Sequence, residues 1–335
     1  MTASAIAEAV RRSLQRSRRW RFAEIAFWLL AVAVFFLFPR QLLILNEIAI
    51  LALFAVSLDL ILGYAGVVSL GHAAFLGMGA YSAGLLARHV TSDPLIGLVF
   101  AMAMSALLGF ITGFLVLKGR DLSRLMVTLG VALILREIAN SWSSLTGGAD
   151  GLQGIAMKPV LGVFEFDIFG RTSYLYSLSV LFVLFVIARR IVHSPFGLSL
   201  RAIRDNRLRA SASGASPAWR LSAIYTIAAA YAGAAGALIA QTTQFVSLDV
   251  LDFHRSADLM LVLIIGGVGY LYGGIIGAIA FKFLQDWIAI FTPEYWMFWI
   301  GLFLVLFVLG GREIIHGGVK ALVARLPKQM RGAGS

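Results

Sequence analysis

The chain has 335 residues, 60% of them hydrophobic and 13% charged, with a mean hydropathy of +0.88 and a formal net charge of +11. A soluble domain carries about 25% charged residues, and a water-soluble core of this length does not need so much apolar surface. Composition therefore excludes an ordinary soluble enzyme and points to a polytopic membrane protein. The absence of cysteine excludes disulfide frameworks and thiolate metal sites.

In chain order, residues 1–21 form a basic segment with Arg11, Arg12, Arg16, Arg18, Arg19 and Arg21. An apolar run starts at Phe22 and reaches Phe38-Pro39-Arg40 without a small-residue cleavage site. That predicts an uncleaved first span rather than a signal peptide. A span needs roughly 20 mostly apolar residues to cross about 30 Å of hydrocarbon. Such segments fall at 22–38, 42–62, 67–87, 94–117, 124–140, 172–188, 221–242 and 295–310. The stretch HRSADLMLVLIIGGVGYLYGGIIGAIAFKFLQDWIAIFT, residues 254–292, reads either as one long span or as two divided near GGVGYLYGG. Phe253 to Gly266 supplies only about 21 Å of helix, so a short, broken or tilted element is expected there. Lys282 and Asp286 lie four apart and can pair on one helical face.

Charge distribution selects between the two readings. Twenty-one of the 28 Lys and Arg residues fall in 1–21, 118–124, 189–220 and 312–335. Basic residues accumulate on cytoplasmic loops. Placing all four blocks inside requires 254–310 to cross three times, which predicts ten spans with both termini cytoplasmic. The expected organisation is a basic N-terminal segment 1–21, a transmembrane domain 22–311 and a basic cytoplasmic tail 312–335. The transmembrane domain would include a cytoplasmic loop at 190–220 and an external loop at 141–171. Because the basic residues flank spans and show no recognition fold, no nucleic acid is expected as a partner; membrane lipid is.

The loop ARRIVHSPFGLSLRAIRDNRLRASASGASPAWR carries the most specified soluble feature. Ser194-Pro195 fits a helix start. Residues Leu198 to about Ala212 suit a short helix, with Arg201–Asp205 and Asp205–Arg209 at pairing distance in sequence. Leu198, Ile203 and Leu208 add apolar surface, and Gly214 and Pro217 end the segment. Such a loop either enforces orientation alone or docks a cytoplasmic partner.

No enzyme site emerges. The chain lacks G-x-x-x-x-G-K-[ST], and the GGVG at 266–269 lacks the dinucleotide pattern. None of the five histidines forms H-E-x-x-H. Asp59, Arg136 and Glu137 are charges within apolar segments. A buried Asp59 must be hydrogen-bonded or protonated and serves either transport or an interhelical contact.

Four stretches together are similar to one family. GYAGVVSLGHAAFLGMGAY at 63–81, SLTGGADGL at 144–152, HSPFGLSLRAIRDN at 193–206 and GGVGYLYGGIIGA at 266–278 resemble, in order, motifs of the branched-chain amino acid ABC transporter permeases of the LivM type. The resemblance covers about 42–311. It implies an all-α, polytopic transmembrane helix bundle with broken glycine-rich helices in the bacterial inner membrane. Its implied partners are a second homologous permease subunit, two ATPase subunits that bind ATP and Mg, and a periplasmic substrate-binding protein. No cofactor is implied in this chain. By resemblance, 194–213 is the coupling helix that meets an ATPase subunit, with Ser194, Pro195, Phe196, Gly197, Arg201, Arg204, Asp205, Asn206 and Gly214 as its coupling residues. Gly63, Gly66, Gly71, Gly77 and Gly79 form one irregular region near the path, and Gly266, Gly267, Gly269, Gly273, Gly274 and Gly277 a second. Along that path Ser57, Asp59, Ser69, His72 and Ser82 are candidate polar contacts. His72 reads either as a packing and hydrogen-bonding group or as a path contact. The chain departs from the family's usual residues at Val67-Val68, Arg207, Tyr270 and Gly274. Cargo is left open among branched-chain and related amino acids, urea, short amides and aromatic acids, and ion-coupled secondary transport is the rival mechanism.

Overall fold

The computed structural model describes residues 22–117, 119, 121–214, 216–291, 294–295, 298–302 and 305. The N-terminal segment 1–21 and the tail 312–335 lie outside the described residues, as does most of the expected span 295–310. Regular structure among the described residues is helical, with two isolated bridges, Leu152 to Val246 and Val160 to Phe164.

The helices are α1 (Phe22–Leu37), α2 (Leu42–Leu62), α3 (Ala73–His89), α4 (Pro94–Val116), α5 (Asp121–Ser141), the single turn α6 (Ser143–Thr146), α7 (Arg171–Val192), α8 (Pro195–Asp205), α9 (Arg207–Ala212), α10 (Pro217–Thr243), α11 (Phe253–Gly266) and α12 (Leu271–Phe291). Five of these, α2, α4, α7, α10 and α12, are long and apolar enough to cross a membrane. The protein is an all-α polytopic membrane protein. Helices suit this setting because each satisfies its own backbone hydrogen bonds. Starts are marked chemically: the Asp93 carboxylate accepts from the amides of Leu95 and Ile96 (2.9 and 3.2 Å), with Pro94 at the first position of α4.

One expectation is corrected and one open reading is resolved. Residues 67–87 are not one span: the chain is irregular from Gly63 to His72 and becomes helical at Ala73. Residues 254–292 do form two helices, parted at Gly267–Tyr270, as the charge distribution required.

The chain forms two compact units, Met1–Ala280 and Phe281–Ser335. In the second, Lys282 Nζ lies 3.3 Å from the Asp286 carboxylate, the i,i+4 pair that sequence spacing predicts. Trp287 meets Phe291 edge to face.

In the first unit α10 is the central helix and packs on α4, α3 and α2. Lipid gives helices no hydrophobic reason to associate, so close van der Waals packing must hold them. One atom pair contributes only about 0.1–0.2 kcal/mol, so many short contacts are needed. The small-residue run YAGAAGA at 231–237 supplies them. A Cβ added at Gly79 of α3 would lie 2.5 Å from Gly233 Cα, and one at Gly236 would lie 2.7 Å from Ala80 N and overlap Leu76 O. Polar ties add register. Ser177 Oγ donates to Asn46 Oδ1 (2.6 Å), and Gln241 Nε2 donates to Pro94 O (2.7 Å) while Tyr176 Oη donates to its Oε1 (2.9 Å). Interhelical bonds of this kind average about 0.6 kcal/mol, so they orient the bundle more than they hold it. Helix α1 joins α7 through Arg189 Nη1 and Glu24 (2.5 Å) and through Trp28, whose ring meets Phe182 and Phe185.

Candidate functional site

The segment 63–72 is backbone without regular structure, yet largely buried. Inside a membrane protein that is tolerated only where other protein atoms satisfy it. Val67 N–H reaches back to Ile61 O (2.9 Å). Leu70 N–H donates to Thr128 Oγ1 of α5 (3.3 Å), and Ala73 N–H, at the start of α3, donates to Ser256 Oγ of α11 (2.9 Å). Gly66 takes φ +69, the left-handed region that lets the chain turn away from α2.

His72 is fully buried, stacked on Phe54 with ring centroids 5.5 Å apart. Ser57 Oγ gives its proton to Phe54 O (2.5 Å), so it meets His72 Nε2 (2.8 Å) as an acceptor. The imidazole therefore donates from Nε2, while Nδ1 has no partner. These are packing and hydrogen-bonding contacts. A His72→Gln variant keeps an amide donor on that side, and is expected to retain solute uptake within about twofold, under 0.5 kcal/mol, with an unaltered pH profile from pH 6 to 8. Uptake assays on membrane vesicles check this. A changed profile would require imidazole protonation in transport.

The second break, at 267–270, lies against the first. Gly269, at φ +82, points its N–H to Asp59 Oδ1 (2.7 Å). A Cβ at Gly63 would lie 2.5 Å from Gly269 N, so the two turns meet backbone to backbone. Asp59 is fully buried on the last turn of α2, and its Oδ2 has no hydrogen-bond partner. Aspartate at a helix centre in lipid costs about 2.5–3.5 kcal/mol on insertion scales. The Gly269 amide and the nearby Arg204 guanidinium, which acts electrostatically on Asp59, offset that cost.

Arg204 comes from α8. The α8 start follows the sequence: Ser194 Oγ accepts from Gly197 N–H (3.3 Å), and Pro195 occupies the first turn. Gly197 is buried, Phe196 half-buried and Pro195 exposed. The expected single helix to Ala212 is corrected to two. Asn206 is extended (φ −159, ψ 102) and its Oδ1 caps α9 by accepting from Arg209 N–H (2.9 Å). This break takes Arg209 off the helical face of Asp205, so the expected i,i+4 ladder is replaced. Arg204 Nε and Nη2 both bond Asp205 Oδ1 at 3.3 Å. Arg201 Nη2 donates to Val192 O (3.0 Å), and its guanidinium lies 5.4 Å from the Tyr64 ring centroid. Arg204 Nη1 donates to Gly63 O, and its stem packs against Gly66. Thus α8 grips the α2–α3 turn with two arginines one turn apart. Leu200 and Ile203 of α8 and Ala210 of α9 are buried, whereas Leu198, Arg207, Leu208 and Arg209 are exposed, as is Gly214 (φ +83).

Of the candidate path residues, Asp59, Gly66 and Gly269 come together around Arg204, with Gly266 and Gly267 in the same turn as Gly269. Ser57 joins His72, and Ser69 is buried in the irregular segment. Ser82 is apart, ten residues and about 15 Å further along α3 than His72. It lines an apolar cavity of about 480 Å³ with Met78, Tyr81, Phe100 and Trp142. Sequence reasoning missed Thr128 and Ser256 as backbone caps, and it missed the inward aim of Arg201 and Arg204. The i,i+3 spacing of those arginines beside buried Leu200 and Ile203 was the available signal for the second. Among the described residues no group of three or more His, Asp or Glu is placed to hold a metal.

Comparison with known proteins fits this architecture. The family described as branched-chain amino acid transport system / permease component matches residues 41–308. The chain is 32% identical over 280 residues to the high-affinity branched-chain amino acid transport system permease protein LivM of Salmonella typhimurium, covering 75% of this chain and 64% of that protein. It is 30% identical over 309 residues to LivM of Escherichia coli, covering 85% of this chain and 72% of that protein. The match thus spans less than two thirds of the Salmonella protein's length. No solved structure matches the chain significantly. With the family pattern extending over most of the chain, and the two glycine breaks and the α8 loop inside it, the protein belongs to the branched-chain amino acid transport system permease family.

Proposed function

We propose that the chain is a permease subunit of an ATP-driven importer. It moves branched-chain or related amino acids, or similar small solutes, across the bacterial inner membrane by alternating access. A second homologous permease completes the path, a periplasmic binding protein delivers cargo, and two partner ATPase subunits hydrolyse ATP. The expected ten-span arrangement, with both termini cytoplasmic, places α8, α9 and both glycine turns at the cytoplasmic end.

One observation carries the reading. Helix α8 holds the α2–α3 turn through Arg201 and Arg204, while Leu208 (84% exposed) and Arg207 and Arg209 are left facing outward. A loop that only sets orientation needs basic residues, not a helix pair anchored through α8 and bare along α9. A partner seated on the bare stretch moves the turn directly.

Leu208→Asp in the intact transporter tests it. Copurification of the ATPase subunits and solute-stimulated ATP hydrolysis are expected to fall at least about tenfold, or 1.4 kcal/mol. Membrane abundance of the chain should hold, since Leu208 contributes nothing to its core. Uptake that persists without ATPase subunits and follows an ion gradient would refute the proposal and favour secondary transport.

A further inference from the structure

The buried Asp59 was a candidate cargo contact, but its surroundings describe a joint. One carboxylate oxygen is committed to the Gly269 amide, and the other is buried with no hydrogen-bond partner. Neither belongs to the wall of the 480 Å³ cavity. The cation that acts electrostatically on Asp59 is Arg204, whose Nη1 bonds Gly63 O four residues beyond Asp59. A Cβ at Gly269 would sit 3.5 Å from the same Nη1. Meanwhile Nε and Nη2 of Arg204 are spent on Asp205, a carboxylate whose side chain is 69% exposed. An exposed pair of that kind holds weakly, whereas a carboxylate with a vacant buried oxygen is a strong acceptor for a guanidinium fork.

We propose that Asp59 is a positioning residue of the transport cycle, and that Arg204 exchanges Asp205 for the free Asp59 oxygen when α8 shifts. In the present arrangement the guanidinium ties α8 to the α2 turn through Gly63 O alone. After the exchange it ties α8 to both glycine turns, because Asp59 already holds Gly269. The two breaks then move as one piece with α8. The exchange rests on the ATP-driven reading, since it needs a partner that displaces α8.

The test uses the complete transporter in proteoliposomes and reads solute moved per ATP hydrolysed. Asp59→Asn keeps the acceptor for Gly269 N–H but removes the charge, and Arg204→Gln removes the fork. Each is expected to lower solute moved per ATP about tenfold, while the double variant falls no further than the worse single. A merely structural role would lower uptake and hydrolysis in step and leave the ratio unchanged, which would overturn the proposal; so would additive losses. Arg204→Gln also strands a buried carboxylate, so its thermal midpoint in detergent should drop, and adding Asp59→Asn should recover it. No recovery would overturn the pairing, even if Arg204→Gln accumulates too poorly for transport assays. A wild-type complex without solute-stimulated hydrolysis would instead refute the ATP-driven reading and the exchange with it, while the recovery arm still reports on the joint.

Discussion

Replacing Gly236 with isoleucine is expected to abolish accumulation of the folded protein. A Cβ alone at this position overlaps Leu76 O and lies 2.7 Å from Ala80 N, both backbone atoms of α3. Backbone cannot rotate aside as a side chain can, so α3 and α10 must separate along their crossing. Overpacking a tight core costs about 1–3 kcal/mol and occasionally more; a branched side chain driven into backbone falls at the top of that range. Gly79 and Gly233 sit in the same crossing and lose their contact as the helices part. Against a total stability of about 5–15 kcal/mol, and with association in lipid dependent on such contacts, little margin remains. Fluorescence-detected size exclusion after solubilisation reads the result as loss of the monodisperse peak. Gly130→Ala is the contrast: a Cβ there meets nothing within 4 Å, and relieving a mid-helix glycine of α5 is worth about 0.5–1 kcal/mol. It should leave the peak intact. A normal peak from Gly236→Ile would mean that the α3–α10 crossing is not what holds the bundle.

The same crossing shows what sequence conveys and what it hides. Hydropathy locates α2 and α4 almost to the residue, because continuous apolar runs bounded by Gln41, Gly63 and Asp93 have one outcome in lipid. It cannot locate the break at 63–72. Val67, Val68 and Leu70 are as apolar as any helix, and the groups that excuse their irregular backbone, Thr128 and Ser256, come from α5 and α11. Contacts 58 and 183 residues apart in sequence leave no local pattern. The loop motif was legible at its Ser194-Pro195 start, since a cap is a local device. It was misread at Asn206, where the same capping chemistry starts α9 and ends α8. Asp59 was recognised as unusual from its charge alone; that it serves Gly269 required the 210-residue contact between them. The run YAGAAGA carried its small-residue signal openly, but which helix it admits depends on the bundle, not on the run.

Gly63→Ala is expected to leave a chain that inserts but does not transport, with uptake per molecule reduced about a hundredfold, or 2.7 kcal/mol. The added methyl would lie 2.5 Å from Gly269 N and 2.7 Å from Gly269 Cα, and would overlap Asp59 Oδ1. It therefore pushes the carboxylate off the Gly269 amide and wedges the two turns apart. Hydrogen bonds to charged groups contribute about 1.5–3 kcal/mol, so loss of this bond alone accounts for most of the effect. Helices α2 and α12 need not part elsewhere: Gly274 lies close to Ala55, where an added Cβ would come within 3.3 Å, two turns further from the joint, and that approach is untouched. Gly66→Ala gives the comparison. Its penalty is conformational, about 1–2 kcal/mol for an alanine at positive φ, and its methyl meets the Arg204 Cγ at 2.6 Å, a flexible stem able to yield. Uptake per molecule should then fall only about tenfold. Flux through proteoliposomes, normalised to inserted protein, ranks the two. If Gly66→Ala proved the worse, the Arg204 stem rather than the Asp59–Gly269 bond would set the joint, because Gly66 would press on Arg204 and Gly63 on Asp59 and Gly269.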